Sequence, residues 1–447
     1  MESKRIQDDS LVYEVLRHLL GFALPKFFKT IEVKGMDLVP QNEPILFAAN
    51  HQLGLMDPLA IILSQQDPVV YMARADIFKS KLSAWFLRLI KVTPIYRIRD
   101  GYENLSRNDK QLQLAVDVLI DRKRLGVMPE GNHGANRKLR PLVKGLFRIA
   151  FTAEQALEGK AHVKIIPIGI DHGKYLHAGG DLIVHVGKPI EVADYLAAYT
   201  SNQAQGINKL KNRLADDLSS LMQDIRGKRY NDIYALSIYG CTTYLEHLNR
   251  SGFVSEFKTT AGKRFEARVA LSKWLDSLEN TQPEILQELS KYLRTLEKLP
   301  GDANSKAEFL EEMPTVKIHV AAFLASLLAV PGLLLNLPAW CVNRIITNKL
   351  EDKQMYNTFA FTIGLIFNLI FYPLICLLLS LIFGLGLLKG LALLLLTATL
   401  GITAEKTRQY VRMYWCMLPF GFGKKRRYFQ KCQNAYKELN IKLLDLL

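Results

Sequence analysis

The spacing of hydrophobic and polar positions takes four forms along the chain, and each predicts a different kind of element. Residues 10–28 bring Leu11, Val12, Val15, Leu16, Leu19 and Leu20 near one helical face, with Arg17, Lys26 and Lys29 nearby. This is an amphipathic helix, suited either to a membrane interface or to packing on the domain that follows. From about 30 to 200, short unbroken apolar runs at 45–48, 69–72, 125–128, 165–170 and 182–186 alternate with helical stretches. Unbroken runs suit strands of a sheet covered on both faces, so the pattern predicts an α/β domain. From about 202 to 300 the spacing becomes three or four, with Ile207, Leu210, Leu214, Leu218, Leu221 and Ile225 leading. That spacing predicts a helical appendage, with packing or scaffolding as its role.

The last pattern is almost wholly apolar. Residues 318–342 carry no Asp, Glu, Lys or Arg, and at about 1.5 Å per residue they are long enough for a hydrocarbon core of about 30 Å. Pro331, Gly332 and Pro338 predict a broken or re-entrant span. A second run from 359 to 388 continues past Lys389 to 404, too long for one crossing, and should fold into a hairpin near 384–390. The tail then carries Lys406, Arg408, Arg412, Lys424, Lys425, Arg426 and Arg427. The positive-inside tendency keeps such a tail in the cytoplasm, so an even number of full crossings is expected, with 318–342 dipping in and returning. The expected organisation is 1–29 as an interfacial helix, 30–200 as the α/β domain, 201–315 as the appendage, 316–404 as membrane-embedded segments and 405–447 as a basic cytoplasmic tail.

Composition sharpens this picture. The net charge of +15 over 447 residues points to an anionic partner: nucleic acid, a phospholipid surface or a phosphorylated small molecule. Hydrophobic residues make up 49% of the chain and concentrate in one stretch, which favours lipid. Cys241, Cys341, Cys376, Cys416 and Cys432 show no paired or metal-type spacing and read as reduced, inert thiols. Asp8, Asp9 and Glu14 interrupt the order a secretory signal needs, so the first part of the chain is expected in the cytoplasm.

Four segments have residue types that carry chemistry. The first, Ala49 to Pro58, follows a strand candidate and holds His51 and Asp57. A histidine at a strand end can act as a general base whose tautomer a carboxylate fixes, although Asp57-Pro58 also suits the start of a helix. The second runs from Thr93 to Gly101 and ends in cations, where Arg97 offers a planar fork for phosphate or lies solvated in a turn. The third, Val127 to Gly134, is a strand leading into a Pro129-Glu130-Gly131 turn, followed by the cationic cluster of Arg137, Lys138, Arg140 and Lys144. The fourth, Val163 to Ile170, places Pro167 inside a strand-like run, which implies an edge, a bulge or backbone exposed to a ligand.

In order, the four segments resemble the four motifs of the glycerolipid acyltransferases, the superfamily of lysophosphatidic acid and glycerol-3-phosphate acyltransferases. The resemblance covers about 30–195, including 184–190 as a closing core strand. It implies a mixed sheet wrapped by helices, with the active site beside the membrane. It also implies that His51 takes the proton from the acceptor hydroxyl while Asp57 orients it. Arg97 would bind the acceptor phosphate, Glu130 and Gly131 would help to form the acceptor site, with Arg140 and Lys144 as further cations, and Pro167 would shape the donor pocket. The acyl group would pass directly from acyl-CoA or acyl-carrier protein, with no metal and no resident cofactor. Three features depart from the family pattern. Five residues separate His51 from Asp57 instead of four, so the pair must meet across a loop; Met128 replaces phenylalanine; and Asn132, His133 and Gly134 replace Thr-Arg-Ser.

The resemblance makes 1-acyl-glycerol-3-phosphate the first acceptor to expect, with glycerol-3-phosphate or a lyso-aminolipid next. Acyl donor, acceptor and a phospholipid membrane are the expected partners. A non-catalytic membrane scaffold is the rival of another class, and it predicts that His51 is dispensable. A nucleic-acid binder leaves the apolar segments unexplained.

Overall fold

The computed structural model describes residues 5–78, 80–95, 105–134, 136–174, 179–311, 316–386, 388–397, 399–401, 415, 419 and 423–447. The chain forms two compact units. The first holds Ile31–His172 and Leu182–Asp224 with the N-terminal residues to Pro25, and the second holds Lys26–Thr30, Gly173–Asp181 and Ile225–Leu447.

In the first unit the elements are α1 (Leu11–Phe27), β1 (Thr30–Lys34), β2 (Ile45–Ala49), α2 (Met56–Ser64), β3 (Val69–Arg74), α3 (Lys81–Leu89), β4 (Val92–Ile95), α4 (Leu105–Ile120), β5 (Arg124–Val127), α5 (Gly145–Ala156), β6 (Lys164–His172), β7 (Asp181–Val186), β8 (Ile190–Glu191), α6 (Leu196–Ser201) and α7 (Gln203–Leu221). The strands form one mixed sheet in the order β1-β7-β6-β2-β5-β3-β4, with β8 also on β6. β6, β2, β5, β3 and β4 run parallel to their neighbours, while β7 and β8 pair antiparallel with β6. All five residues of β2 are buried, as expected for a strand covered on both faces. Because β2 lies between β6 and β5, the residues that follow all three strands emerge at one edge of the sheet. Ligands of open α/β sheets bind at the carboxyl ends of the strands.

α1 is packed on one part of its surface and open on another. Tyr13 and Leu24 are buried, whereas Leu11, Val15 and Phe22 are exposed. α7 departs from the expected domain boundary at 200. Its residues Ile207, Leu210, Leu214 and Leu218 share one core with Leu46, Phe147 and Ile165 of the α/β domain. Its apolar stripe was legible, but an amphipathic helix does not announce which surface it covers, and this one covers the sheet.

In the second unit α8 (Tyr230–Tyr239), α9 (Cys241–Arg250), α10 (Thr260–Thr281), α11 (Pro283–Leu296) and α12 (Ala303–Glu311) form a bundle completed by the C-terminal helix, which is α17 in chain order (Gly423–Leu446). Phe429, Cys432, Tyr436, Leu439 and Leu443 of that helix lie in the same core as Leu236, Leu275, Leu286 and Leu293. Residues 423–446 are therefore a wall of the bundle and not part of a basic tail.

Between them come α13 (Val316–Asn348), α14 (Tyr356–Ile366), a π-helical turn at Phe367–Phe371, α15 (Tyr372–Ile382) and the apolar helix α16 (Leu388–Gly401). α13 runs unbroken through Pro331 and Pro338, contrary to the expected broken or re-entrant span. Each proline removes only one intrahelical bond, which a helix of 33 residues tolerates. The hairpin expected near 384–390 is present: α15 stops before Gly384, which has φ +61°, and Cys376 Sγ on α15 lies 3.5 Å from Thr397 Oγ1 on α16. Two stretches, Ala329–Asn348 and Lys353–Ile382, are long and apolar enough to cross a membrane. Large side chains on these helices, including Leu334, Leu377, Leu381 and Leu395, are exposed.

Cys241, Cys376 and Cys432 are buried and, like exposed Cys341, unbridged; Cys416 lies outside the described residues. Burial pushes the Cys241 thiol up to about 11, in keeping with an inert sulfur.

Candidate active site

His51 leaves the sheet two residues beyond the end of β2, and Asp57 sits in the first turn of α2. The loop between them closes through Met56 N–H donating to Leu53 O at 2.8 Å. Gly54, at φ +34°, takes the left-handed backbone of this turn, where a side chain would be strained. The turn absorbs the extra residue between histidine and aspartate, so the pair meets across a loop as its spacing required. His51 Nδ1 lies 2.8 Å from Asp57 Oδ2.

Asp57 is fully buried and accepts hydrogen bonds on both oxygens. Oδ2 takes the N–H groups of Gln52 at 2.7 Å and Leu53 at 2.9 Å as well as His51, and Oδ1 faces His172 Nε2 at 2.7 Å. Burial alone would raise its pKa. The hydrogen bonds from His172 and then His51, with their positive potential, outweigh burial and hold the carboxyl well below the usual carboxylate range. An ionised carboxylate only accepts, so His51 Nδ1 carries a proton toward Asp57. The Nε2 lone pair is then available on a side chain that keeps 14% exposure.

The Pro129-Glu130-Gly131 turn extends from β5 beside His51. Gly131, at φ +68°, donates its N–H to Met128 O at 3.0 Å. Glu130 spends both oxygens on the protein: Oε1 accepts the His51 backbone N–H at 2.7 Å, and Oε2 accepts Arg140 Nε at 2.8 Å and the Arg140 backbone N–H at 3.1 Å. Arg140 also donates to the carbonyls of His133 at 2.6 Å, His51 at 3.2 Å and Asn132. Glu130 and Arg140 thus clamp the turn to the histidine loop. The His133 ring stands edge-on to His51, with centroids 5.3 Å apart.

This constellation, a buried carboxylate aligning an accessible imidazole at the carboxyl ends of parallel strands, can take a proton from a hydroxyl. The family description "Acyltransferase" matches residues 30–171. Those residues are an acyltransferase domain of the glycerolipid type. The chain is similar to the 1-acyl-sn-glycerol-3-phosphate acyltransferase of Bacillus subtilis, with 25% identity over 195 residues, covering 41% of this chain and 89% of that protein. It is also similar to the 1-acyl-sn-glycerol-3-phosphate acyltransferase alpha of Mus musculus, with 27% identity over 158 residues, covering 35% of this chain and 50% of that one. The crystal structure of the 1-acyl-sn-glycerophosphate acyltransferase of Thermotoga maritima aligns at 18% identity and a TM-score of 0.34, over 46% of this chain and 79% of that one. The protein is an O-acyltransferase.

Of the residues singled out from the sequence, the acyltransferase domain brings together His51, Asp57, Glu130, Gly131 and Arg140. Lys144 is exposed at the start of α5. Pro167 is buried inside β6, paired with Ala48, at the step where the strand changes partner from β8 to β7. That break in the ladder accommodates its missing donor. Arg97 lies outside the described residues. The site also contains His172, Asp171 and Arg74, which sequence reading passed over, and partners it did not foresee for Arg137, which pairs with Asp171 at 2.7 Å, and for Asn50; Arg74 Nη1 donates to Asn132 Oδ1 at 3.1 Å. Asn50 lies within the first motif and Arg137 in the cationic cluster already noted. For His172 the signal is weak: a histidine at the far end of an apolar strand.

Proposed function

We propose that the protein moves a fatty acyl group from acyl-CoA or an acyl-carrier protein to the free hydroxyl of 1-acyl-glycerol-3-phosphate. The observation that carries this reading is the 2.8 Å contact between His51 Nδ1 and a carboxylate without solvent exposure. The aligned imidazole removes the acceptor's proton as its oxygen attacks the thioester carbonyl, the C–S bond breaks, and the thiolate leaves and is protonated. Asp57 balances the imidazolium while it exists. No covalent enzyme intermediate is needed. Glu130 and Arg140 act through the turn they hold, Gly131 lets that turn close, and Arg97 and Lys144 supply cations for the acceptor phosphate. Pro167 shapes the donor side from within its strand. Glycerol-3-phosphate and lyso-aminolipids are the alternative acceptors, since Asn132 and His133 give the turn a head-group surface of its own.

The substrates are amphiphiles, and the apolar helices suit an enzyme held in the bilayer. α13, about 50 Å long at 1.5 Å per residue, and the continuous rod from Tyr356 to Ile382 are the two crossings in this reading. α17 packs against helices that precede the apolar stretch, which requires the chain to return to the side it left. The basic residues 424–427 support the cytoplasm as that side.

The test is an acyl-transfer assay on the full chain in detergent, with a panel of lyso-acceptors and acyl thioesters, repeated with His51→Ala. The wild type should prefer 1-acyl-glycerol-3-phosphate, and the variant should lose at least about a hundredfold in kcat. Inertness toward the whole panel, or a His51→Ala rate equal to wild type, would return the scaffold reading to the front.

A further inference from the structure

The carboxylate of Asp57 has a second imidazole on its far side. His172 Nε2 lies 2.7 Å from Oδ1, the oxygen that His51 does not use. Since the ionised carboxylate can only accept, the proton of this contact sits on His172 Nε2. The side chain is 1% exposed, so it does not meet substrate. Two features fix it in place. Asn50 donates from Nδ2 to Ile170 O at 3.0 Å and accepts Ile170 N–H on Oδ1 at 2.6 Å, extending the pairing of β2 with β6 past its last backbone partners, Ala49 and Ile168. Arg137 donates through Nη2 to the His172 carbonyl at 2.9 Å and through Nη1 to Asp171 at 2.7 Å, closing the strand end from behind.

We propose that His172 is a positioning residue for acyl transfer, holding the Asp57 carboxylate in place and drawing part of its negative charge away from the oxygen that faces His51. The inference rests on the reading of His51 as the base. A donor on Oδ1 makes Oδ2 a weaker partner for a proton on His51 than an unshared carboxylate would be. Among the described residues, the charged or titratable groups facing the three side chains include Glu130 and Arg140, which clamp the His51 backbone, His133 beside its ring, and the Arg137–Asp171 pair.

The experiment compares full-length wild type with His172→Leu, His172→Gln and His172→Asn, using oleoyl-CoA and 1-oleoyl-glycerol-3-phosphate. His172→Leu should lower kcat about 10- to 100-fold, by analogy with the loss of hydrogen-bond partners behind metal-ligating histidines, with KM within about twofold. The acid limb of its kcat/KM profile should move to higher pH. Glutamine can place an N–H where Nε2 stood and should restore most of the rate and the original limb. Asparagine is too short and should behave as leucine does, which keeps the test intact if the leucine variant misfolds. A readout that needs no turnover is carbethoxylation of His51 by diethyl pyrocarbonate, followed by mass spectrometry across pH; its midpoint should rise in the leucine and asparagine variants. An unmoved midpoint, or equal losses in the glutamine and leucine variants when both melt like wild type, overturns the proposal. Wild-type turnover by His51→Ala would instead overturn the base, and the carbethoxylation midpoint would then decide on His172 alone.

Discussion

The acyltransferase domain and the helical bundle bury polar groups in opposite ways. In the first, Asn50, Gln52, Asp57, Glu130, Arg137, Asp171 and His172 are all buried near the carboxyl ends of β2, β5 and β6, and they bond to one another or to backbone of neighbouring segments. In the bundle of α8–α12 and α17, the buried polar side chains among the described residues reduce to three serines, Ser237, Ser272 and Ser290, beside buried tyrosines such as Tyr436, whose hydroxyl reaches Glu311 at the bundle's edge. Each of these serines bonds to a carbonyl of its own helix, three or four residues back. A buried hydroxyl or amide costs about 1–3 kcal/mol when left unpaired. A serine that satisfies itself locally is compatible with a purely packing role, whereas a cluster whose members depend on one another is costly to maintain and marks chemistry.

That contrast can be broken or sharpened by substitution. The largest effect is expected for Asp57→Asn, which keeps the shape but removes the charge that aligns His51 and balances its proton. By analogy with other histidine–carboxylate pairs, kcat should fall about a thousandfold or more, with the thermal melt little changed. A variant that retains activity would show the cluster to be structural. Next comes Leu439→Ala in the bundle core, where the side chain is fully buried. It should cost about 2–5 kcal/mol of stability, read by thermal unfolding or by hydrogen exchange in α17. Turnover per folded molecule should be unchanged, and a matching fall in kcat would give the bundle a catalytic part. Smallest is Arg97→Ala, which should raise the KM for phosphorylated acceptors about tenfold, the loss of one charge-assisted contact, without lowering kcat. An unchanged KM would remove Arg97 from the site.

Much of the α/β domain was legible because its strands are continuous apolar runs separated by helices, and β2, β3, β5, β6 and β7 fall where those runs lie. The pairing of His51 with Asp57 was legible too, because the two are close in the chain and only a local turn has to join them. His172 was not. It meets Asp57 only because β6 lies beside β2, a matter of strand order that no local pattern encodes. The clamp of Glu130 on Arg140 was hidden for a different reason: both residues were seen, but as separate groups awaiting a ligand, and only coordinates show that they spend their bonds on each other. At the C-terminus, Phe429, Cys432, Tyr436, Leu439 and Leu443 follow a helical spacing of three and four, yet the cations at 424–427 dominated that stretch and suggested a solvated tail.

α17 also decides what a shortened version of this enzyme would be. A deletion ending at residue 404, drawn to discard loose charge, would strip Leu286, Leu289 and Leu293 of α11 of the partners that cover them. The product would be a bundle with an open seam, prone to clump. The apolar stretch behaves as a long parenthesis inside one folded body, and the words after it finish the sentence that the residues before it began.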